Sequence, residues 1–231
     1  MIGFEIDVDT QLTQINDRDW SEYKMKSLVL YNKPECPFCW KVRLALSEAK
    51  LDVKLIDSLI DAERNVWLAL TPKKTVPVLV INNDLVIYES NVILEYFSEI
   101  TGYLLPRDPS DRIIPRLINY YSDSLIGSAL KEIIFEKRNK EEHCWDHSRI
   151  QAGITAFHKA LIYLSETLES REFFGKDYSI AECALTARIG LAESYGVEIP
   201  ERFSNLRDWY SRMKERPSFD ATLPSKSIVD L

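Results

Sequence analysis

The feature that most constrains this chain is a pair of cysteines, Cys36-Pro37-Phe38-Cys39, set between a strand pattern and a helical one. Ser27 to Tyr31 reads as a strand. Cys36 then falls at a helix N-cap, and Pro37 takes the first helical position, where a missing N–H costs nothing. Cys39 follows one turn later on the same face. A thiol at that end of a helix meets free N–H groups and the positive pole of the dipole, and Lys33 adds a cation upstream. A pKa drop from about 8.5 toward about 7 would leave about half of the thiol ionised at neutral pH. Cys36 is the expected nucleophile. Cys39 is either a resolving thiol or a packed small side chain.

The motif could also be half of a zinc site, with His143, Cys144 and His147 as distant candidates for the other half. Those residues stand beside Glu141 and Glu142, with His143 and His147 four apart on the first turns of a helical pattern. Such charge clusters ordinarily mark a solvated face, so no metal is expected. A Cys-x-x-Cys beside a βαβ pattern points instead to redox chemistry. Val53 to Ile56 supplies the second, parallel strand of that unit, after a helix ending near Lys50.

A short helix over Ala62 to Leu70 and a turn through Lys73 and Lys74 lead into the apolar strand Val76 to Ile81. Pro77 is tolerable where a strand begins. A cis Val76-Pro77 bond would present the backbone of Val76 outward, although sequence alone does not predict one. Asn82-Asn83-Asp84 forms a hairpin turn back to Leu85–Tyr88. A helix over Asn91 to Ile100 follows, with Ser90 as its cap and Val92, Ile93, Tyr96 and Phe97 on its buried face. Glu89-Ser90 at a helix N-terminus can receive an anion through the hydroxyl and N–H groups and an ammonium through the carboxylate. Together they suit an α-amino acid head group.

Residues 27–101 resemble the thioredoxin-fold half of the cytosolic glutathione S-transferases, and Lys33-Pro34-Glu35-Cys36-Pro37-Phe38-Cys39 is similar to the glutaredoxin active-site loop. The resemblance implies that Val76, before Pro77, pairs its backbone with the cysteinyl unit of glutathione, and that Glu89 and Ser90 hold the γ-glutamyl end. The lysine that omega-class members place before the second helix is here Glu63 with Arg64 beside it, which leaves Lys74 or Arg64 to meet the glycyl carboxylate. The second cysteine and the bulky Trp40 shift the likeness toward dithiol glutaredoxin chemistry.

Composition bounds the remaining choices. With 231 residues, 45% hydrophobic, the chain has length for one large or two small domains, and a net charge of −7 disfavours a nucleic-acid partner. No apolar run reaches the ~18 residues of a membrane span, no basic-then-apolar leader is evident, and four cysteines do not make a disulfide framework. A cytoplasmic location with no membrane partner is expected. Residues 1–26, which include the alternating Phe4-Glu5-Ile6-Asp7-Val8, read as an N-terminal extension, 27–102 as the thioredoxin-like domain, 103–109 as a linker and 110–231 as an all-helical domain.

In that second domain Ile114, Leu117, Ile118, Tyr121 and Leu125 keep helical spacing around Pro115, where the helix should bend or restart. Ile150 to Leu168 reads as a long helix buried along one side, and Ser179-Ile180-Ala181-Glu182 as a capping box opening a central helix to Tyr195. The segments Phe173–Cys183 and Leu206–Phe219 resemble the helical domain of the same family, and Tyr88–Tyr96 and the last helix also resemble stringent starvation protein A, a bacterial RNA polymerase partner that lacks the cysteine motif. The fold class is thus a thioredoxin-like α/β domain followed by an all-helical domain. A glutathione-dependent thiol transferase is expected, with glutathione as co-substrate, a small electrophilic or disulfide second substrate and, by analogy with the family, a homodimer. The rival is a regulator of the same fold that binds a protein such as RNA polymerase. Phe38, Trp40, Tyr120, Tyr121 and Ser124 are the expected walls of the second-substrate pocket.

Overall fold

The computed structural model describes residues 27–224, so the alternating stretch from Phe4 to Val8 lies outside the described residues. Strands β1 (Leu28–Asn32), β2 (Lys54–Asp57), β3 (Val78–Ile81) and β4 (Leu85–Tyr88) form one sheet in the order β2-β1-β3-β4. β1 and β2 are parallel, joined through helix α1 (Pro37–Glu48), while β3 and β4 run antiparallel to their neighbours. The central strands β1 and β3 are almost continuous apolar runs and are buried on both faces. The edge strand β2 is partly exposed. Helices α2 (Asp61–Ala69) and α3 (Ser90–Thr101) complete this thioredoxin-like half.

The buried face of α3 comprises Ser90, Ile93, Leu94, Phe97 and Ser98, a set with three- and four-residue steps. Val92, expected inside, is exposed, and Leu94 takes its place. The cap also differs from expectation. Ser90 is the first helical residue and the N-cap is Glu89, held at φ +67°, a backbone conformation that costs a non-glycine residue about 1–3 kcal/mol.

After a short 3-10 turn at Ser110–Arg112, α4 (Ile113–Tyr121) carries Pro115 in its first turn, where the amide N–H has no helical partner to lose. A π-helical turn over Ser122–Ile126 then joins α4 to α5 (Gly127–Asn139). His143 lies in a separate 3-10 turn (Glu142–Cys144) and His147 begins α6 (His147–Leu168), so the two do not share a helix face. Asp146 caps α6 by accepting from the Arg149 amide.

The helical half is organised around α7 (Ile180–Ser194), buried from Ile180 to Ala192. Its capping box forms as the sequence indicates: the Ser179 hydroxyl accepts from the first turn while Glu182 accepts from the Ser179 amide at 2.9 Å. Glu182 is fully buried, which pushes its carboxyl up, and the amides of Phe174 and Ser179 compensate. Helices α8 (Ser204–Lys214) and α9 (Pro217–Thr222) close the chain's described part.

The two halves pack through α1 against α7. Gly190 permits the approach: a Cβ there would lie 2.4 Å from Trp40 Cη2. Trp40 also donates from Nε1 to Thr222 Oγ1 at 3.1 Å and tilts against Phe219. No helix among the described residues is long and apolar enough to cross a membrane.

Candidate active site

Cys36 occupies the N-cap of α1 with Pro37 at the first helical position, and its Sγ lies 4.0 Å from the carbonyl oxygen of Val76, in the loop where the Val76-Pro77 bond is cis. Cys39 is wholly buried one turn behind it. The two sulfurs behave in opposite ways. Cys36 is pushed down to about 6, chiefly by the hydrogen bond it accepts from the Cys39 thiol, which outweighs the cost of burial. The amides of Cys39 and Phe38 and the Arg188 guanidinium add to the effect. Cys39 is held well above the ordinary thiol range, first by burial and then by its charged neighbour. At pH 7 a thiol titrating near 6 is about nine-tenths ionised.

The cation facing the thiolate is therefore Arg188 of α7, a residue that sequence reasoning missed, whereas Lys33 contributes its backbone N–H to Cys39 Sγ at 3.4 Å. Arg188 stacks over the Phe38 ring at 4.3 Å and donates to Asp123 Oδ1 at 2.8 Å. The other Asp123 oxygen accepts from Lys41 at 2.7 Å, and Lys41, almost fully buried, also donates to Asn91 Oδ1 at 2.6 Å. Burial pulls the Lys41 ammonium down and Asp123 holds it up. A charged residue amid an apolar helix pattern, as at Lys41 and Arg188, is the signal that announces such a buried partner.

Arg43, also missed, clamps the active-site loop. It donates to Asn32 Oδ1 at 2.8 Å and to the Pro34 carbonyl at 2.8 Å, and reaches the Thr222 carbonyl at 3.3 Å.

Two clefts open from Cys36. The first, about 660 Å³, is lined by Lys33, Cys36, Phe38, Lys74, Val76, Pro77, Glu89 and Ser90, and so brings the expected nucleophile together with the residues expected to hold glutathione. Arg64 and Lys73 join them. Lys73 meets Glu89 at 2.7 Å in an exposed ion pair of small energetic value.

The second cleft, about 470 Å³, lies between the sheet-bearing half and the helices and shares Lys33, Cys36 and Phe38 with the first. Of the walls expected from sequence only Phe38 is there. Trp40 is in the core against Phe219, Tyr121 packs edge-on against Tyr163, and Tyr120 and Ser124 line neither cleft. Only Ser124 falls within the π turn, whose wider winding departs from the α-helical register, and Asp123 and Gly127 line the cleft there.

Residues 30–103 match the family described as glutathione S-transferase, N-terminal domain. Both halves of the chain are similar to glutathione S-transferases. Along most of its length the chain is similar to FtsZ-localized protein A of Caulobacter vibrioides (28% identical, 85% of this chain and 91% of that protein) and to glutathione S-transferase 2 of Saccharomyces cerevisiae (25%, 88% and 93%). It is also similar to a stringent starvation protein A homolog of Coxiella burnetii (28%, 87% and 93%). A theta-class glutathione S-transferase from Xanthomonas axonopodis pv. citri, solved with glutathione bound, shares the fold with a TM-score of 0.77 at 22% identity, over 86% of this chain and 98% of that one. The likeness thus covers the thioredoxin-like half and the all-helical half.

Proposed function

We propose that this chain is a glutathione-dependent thiol transferase in which Cys36 exchanges with disulfides. The observation that carries the reading is a thiol lowered to about 6 at the point where the two clefts meet. A group that is already an anion at neutral pH exchanges with a neighbouring disulfide, whereas a tyrosine or serine would only orient the thiol of glutathione.

In the proposed cycle glutathione lies in the first cleft. Its cysteinyl backbone pairs with Val76 beside Pro77, and its γ-glutamyl head group meets Glu89 and Ser90. Its glycyl carboxylate meets the cations Arg64 and Lys74. With a glutathionylated thiol as substrate, the Cys36 thiolate attacks the glutathionyl sulfur and the other thiolate leaves with the electron pair of the broken bond. A second glutathione thiolate then attacks the mixed disulfide, forming glutathione disulfide and restoring Cys36. Cys39 serves as the hydrogen-bond donor that stabilises the Cys36 anion. Its complete burial supports this role over resolution.

The test is glutathione-dependent reduction of a mixed disulfide by wild type, Cys36→Ser and Cys39→Ser. The reading expects loss in the first variant and retained turnover in the second. Loss in both would assign Cys39 the resolving role. Similarity to FtsZ-localized protein A and to a stringent starvation protein A homolog supports a second reading, a partner-binding regulator. Absence of turnover in all three proteins would favour it.

A further inference from the structure

We propose that the cleft between the two halves selects disulfides carrying an anionic aromatic group, with Phe38 and Phe135 flanking the ring and Lys131 and Lys33 meeting the anion. The proposal deepens the thiol-transfer reading, from which it takes glutathione as reductant.

The charge on the cleft walls is lopsided. Four cations, Lys33, Lys131, Arg138 and Arg188, face two carboxylates, Glu35 and Asp123, and the Cys36 thiolate. Both carboxylates are engaged: Asp123 is shared between Lys41 and Arg188, and Glu35 lies 3.9 Å from Arg138. Among the described residues no ion pair occupies Lys33 or Lys131. The excess is positive even though the whole chain carries a net charge of −7, so it is a property of this wall rather than of the surface at large.

The apolar part is equally specific. Phe38 and Phe135 are both exposed on the walls, an unusual state for two phenylalanines beside a reactive sulfur, and Lys131 sits 5.9 Å from the Phe135 ring. An arene bearing a carboxylate or sulfonate would cover both rings and pair with the unoccupied ammonium groups. A neutral aliphatic disulfide would do neither.

For a symmetrical aryl disulfide the Cys36 thiolate attacks one sulfur, the S–S bond breaks and one aryl thiolate leaves with the electron pair. One glutathione thiolate attacks the Cys36 sulfur of the mixed disulfide and expels the second aryl thiolate. Another attacks the resulting glutathionyl sulfur and regenerates Cys36. Two glutathiones become one glutathione disulfide, their two electrons reduce the substrate, and two protons pass to water.

Selectivity is measured without glutathione, as the second-order rate of Cys36 modification by anionic 5,5′-dithiobis(2-nitrobenzoate) relative to neutral 4,4′-dithiodipyridine. The background is Cys144→Ser, since Cys144 is exposed, and the ratio is normalised to that of free glutathione. The expected ratio is about tenfold above that of the free thiol, reduced about fivefold or more by Lys131→Glu and less by Lys131→Gln, while Lys159→Glu, outside both clefts, leaves it unchanged. A ratio equal to that of the free thiol, or one that Lys159→Glu lowers as much as Lys131→Glu does, overturns the proposal. Glutathione-dependent turnover is assayed on the same proteins. An intact preference without turnover removes the thiol-transfer reading while upholding the anion selectivity of the cleft.

Discussion

The two clefts that meet at Cys36 are made differently. Apart from the active-site loop they share, the first takes its walls from residues 58–90, from loops and element ends close in sequence. The second takes them from residues 123–191 on helices that reach the site only when the halves dock. The first offers one carboxylate, three hydroxyls, three lysines and one arginine, a polar arrangement for a zwitterionic ligand. The second offers two exposed rings and a surplus of positive charge. Under the proposed cycle, a mobile cofactor-like ligand is received by one local unit, and discrimination between second substrates is left to surfaces brought in from far along the chain.

The separation can be broken at its shared point or on either side. Cys36→Ser removes the group common to both clefts and is expected to reduce disulfide turnover at least about a thousandfold, read as kcat/KM at saturating glutathione. Asp123→Ala attacks the second side's foundation. It leaves buried Lys41 without its carboxylate and is expected to cost about 3–5 kcal/mol in denaturant unfolding. An unchanged midpoint would mean that Asn91 and Asn119 alone satisfy the ammonium.

Cys39→Ala removes a thiol donor that lies in the wall of neither cleft and so tests the hydrogen bond to Cys36. The reactive form of Cys36 is the anion, so the wild-type rate of alkylation should fall as pH drops through about 6. Removing the largest stabilising contact should move that inflection upward and slow the reaction near pH 6 about tenfold. Glu89→Gln touches the first cleft alone. It should raise KM for glutathione about tenfold while leaving the direct reaction of Cys36 with a small disulfide unaltered. The smallest effect is expected for Arg188→Lys, which keeps the charge but loses the flat stack on Phe38, and should change second-substrate kcat/KM a few-fold at constant glutathione KM.

That contrast also explains how far the sequence could be read. Cys36, Pro37, Val76, Pro77, Glu89 and Ser90 are recognisable because each is bound to a local rule: a helix cap, a strand opening, a helix start. Residues fixed by neighbours in sequence end up in one cleft through a short, regular βαβ connection. The helical side has no such rule. Lys41, Asp123 and Arg188 come from three separate helical segments, and their pairing depends on how α1, the π turn and α7 cross. A periodicity count over residues 114–125 presumes unbroken α-helical winding, which the π turn interrupts at Ser124; Tyr120 and Tyr121 lie before that turn, and tertiary packing decides their place, Tyr121 against Tyr163 and Tyr120 toward solvent. Val92 fails for a milder reason: a two-turn amphipathic pattern can be rotated by one position without losing its apolar count, and only packing chooses.

The last described helix is tied to the first. Arg216 grips Glu48 with two bonds, Ser218 reinforces it, and Thr222 reaches both Trp40 and Arg43, so the helix that carries the reactive sulfur is fastened by residues made some 180 positions later. During synthesis the cysteine pair emerges long before its anchor does. The last part of that helix's anchorage therefore arrives late, once translation has passed Thr222, and a chain stopped short of it would hold the sulfur-bearing helix by the sheet and α7 alone.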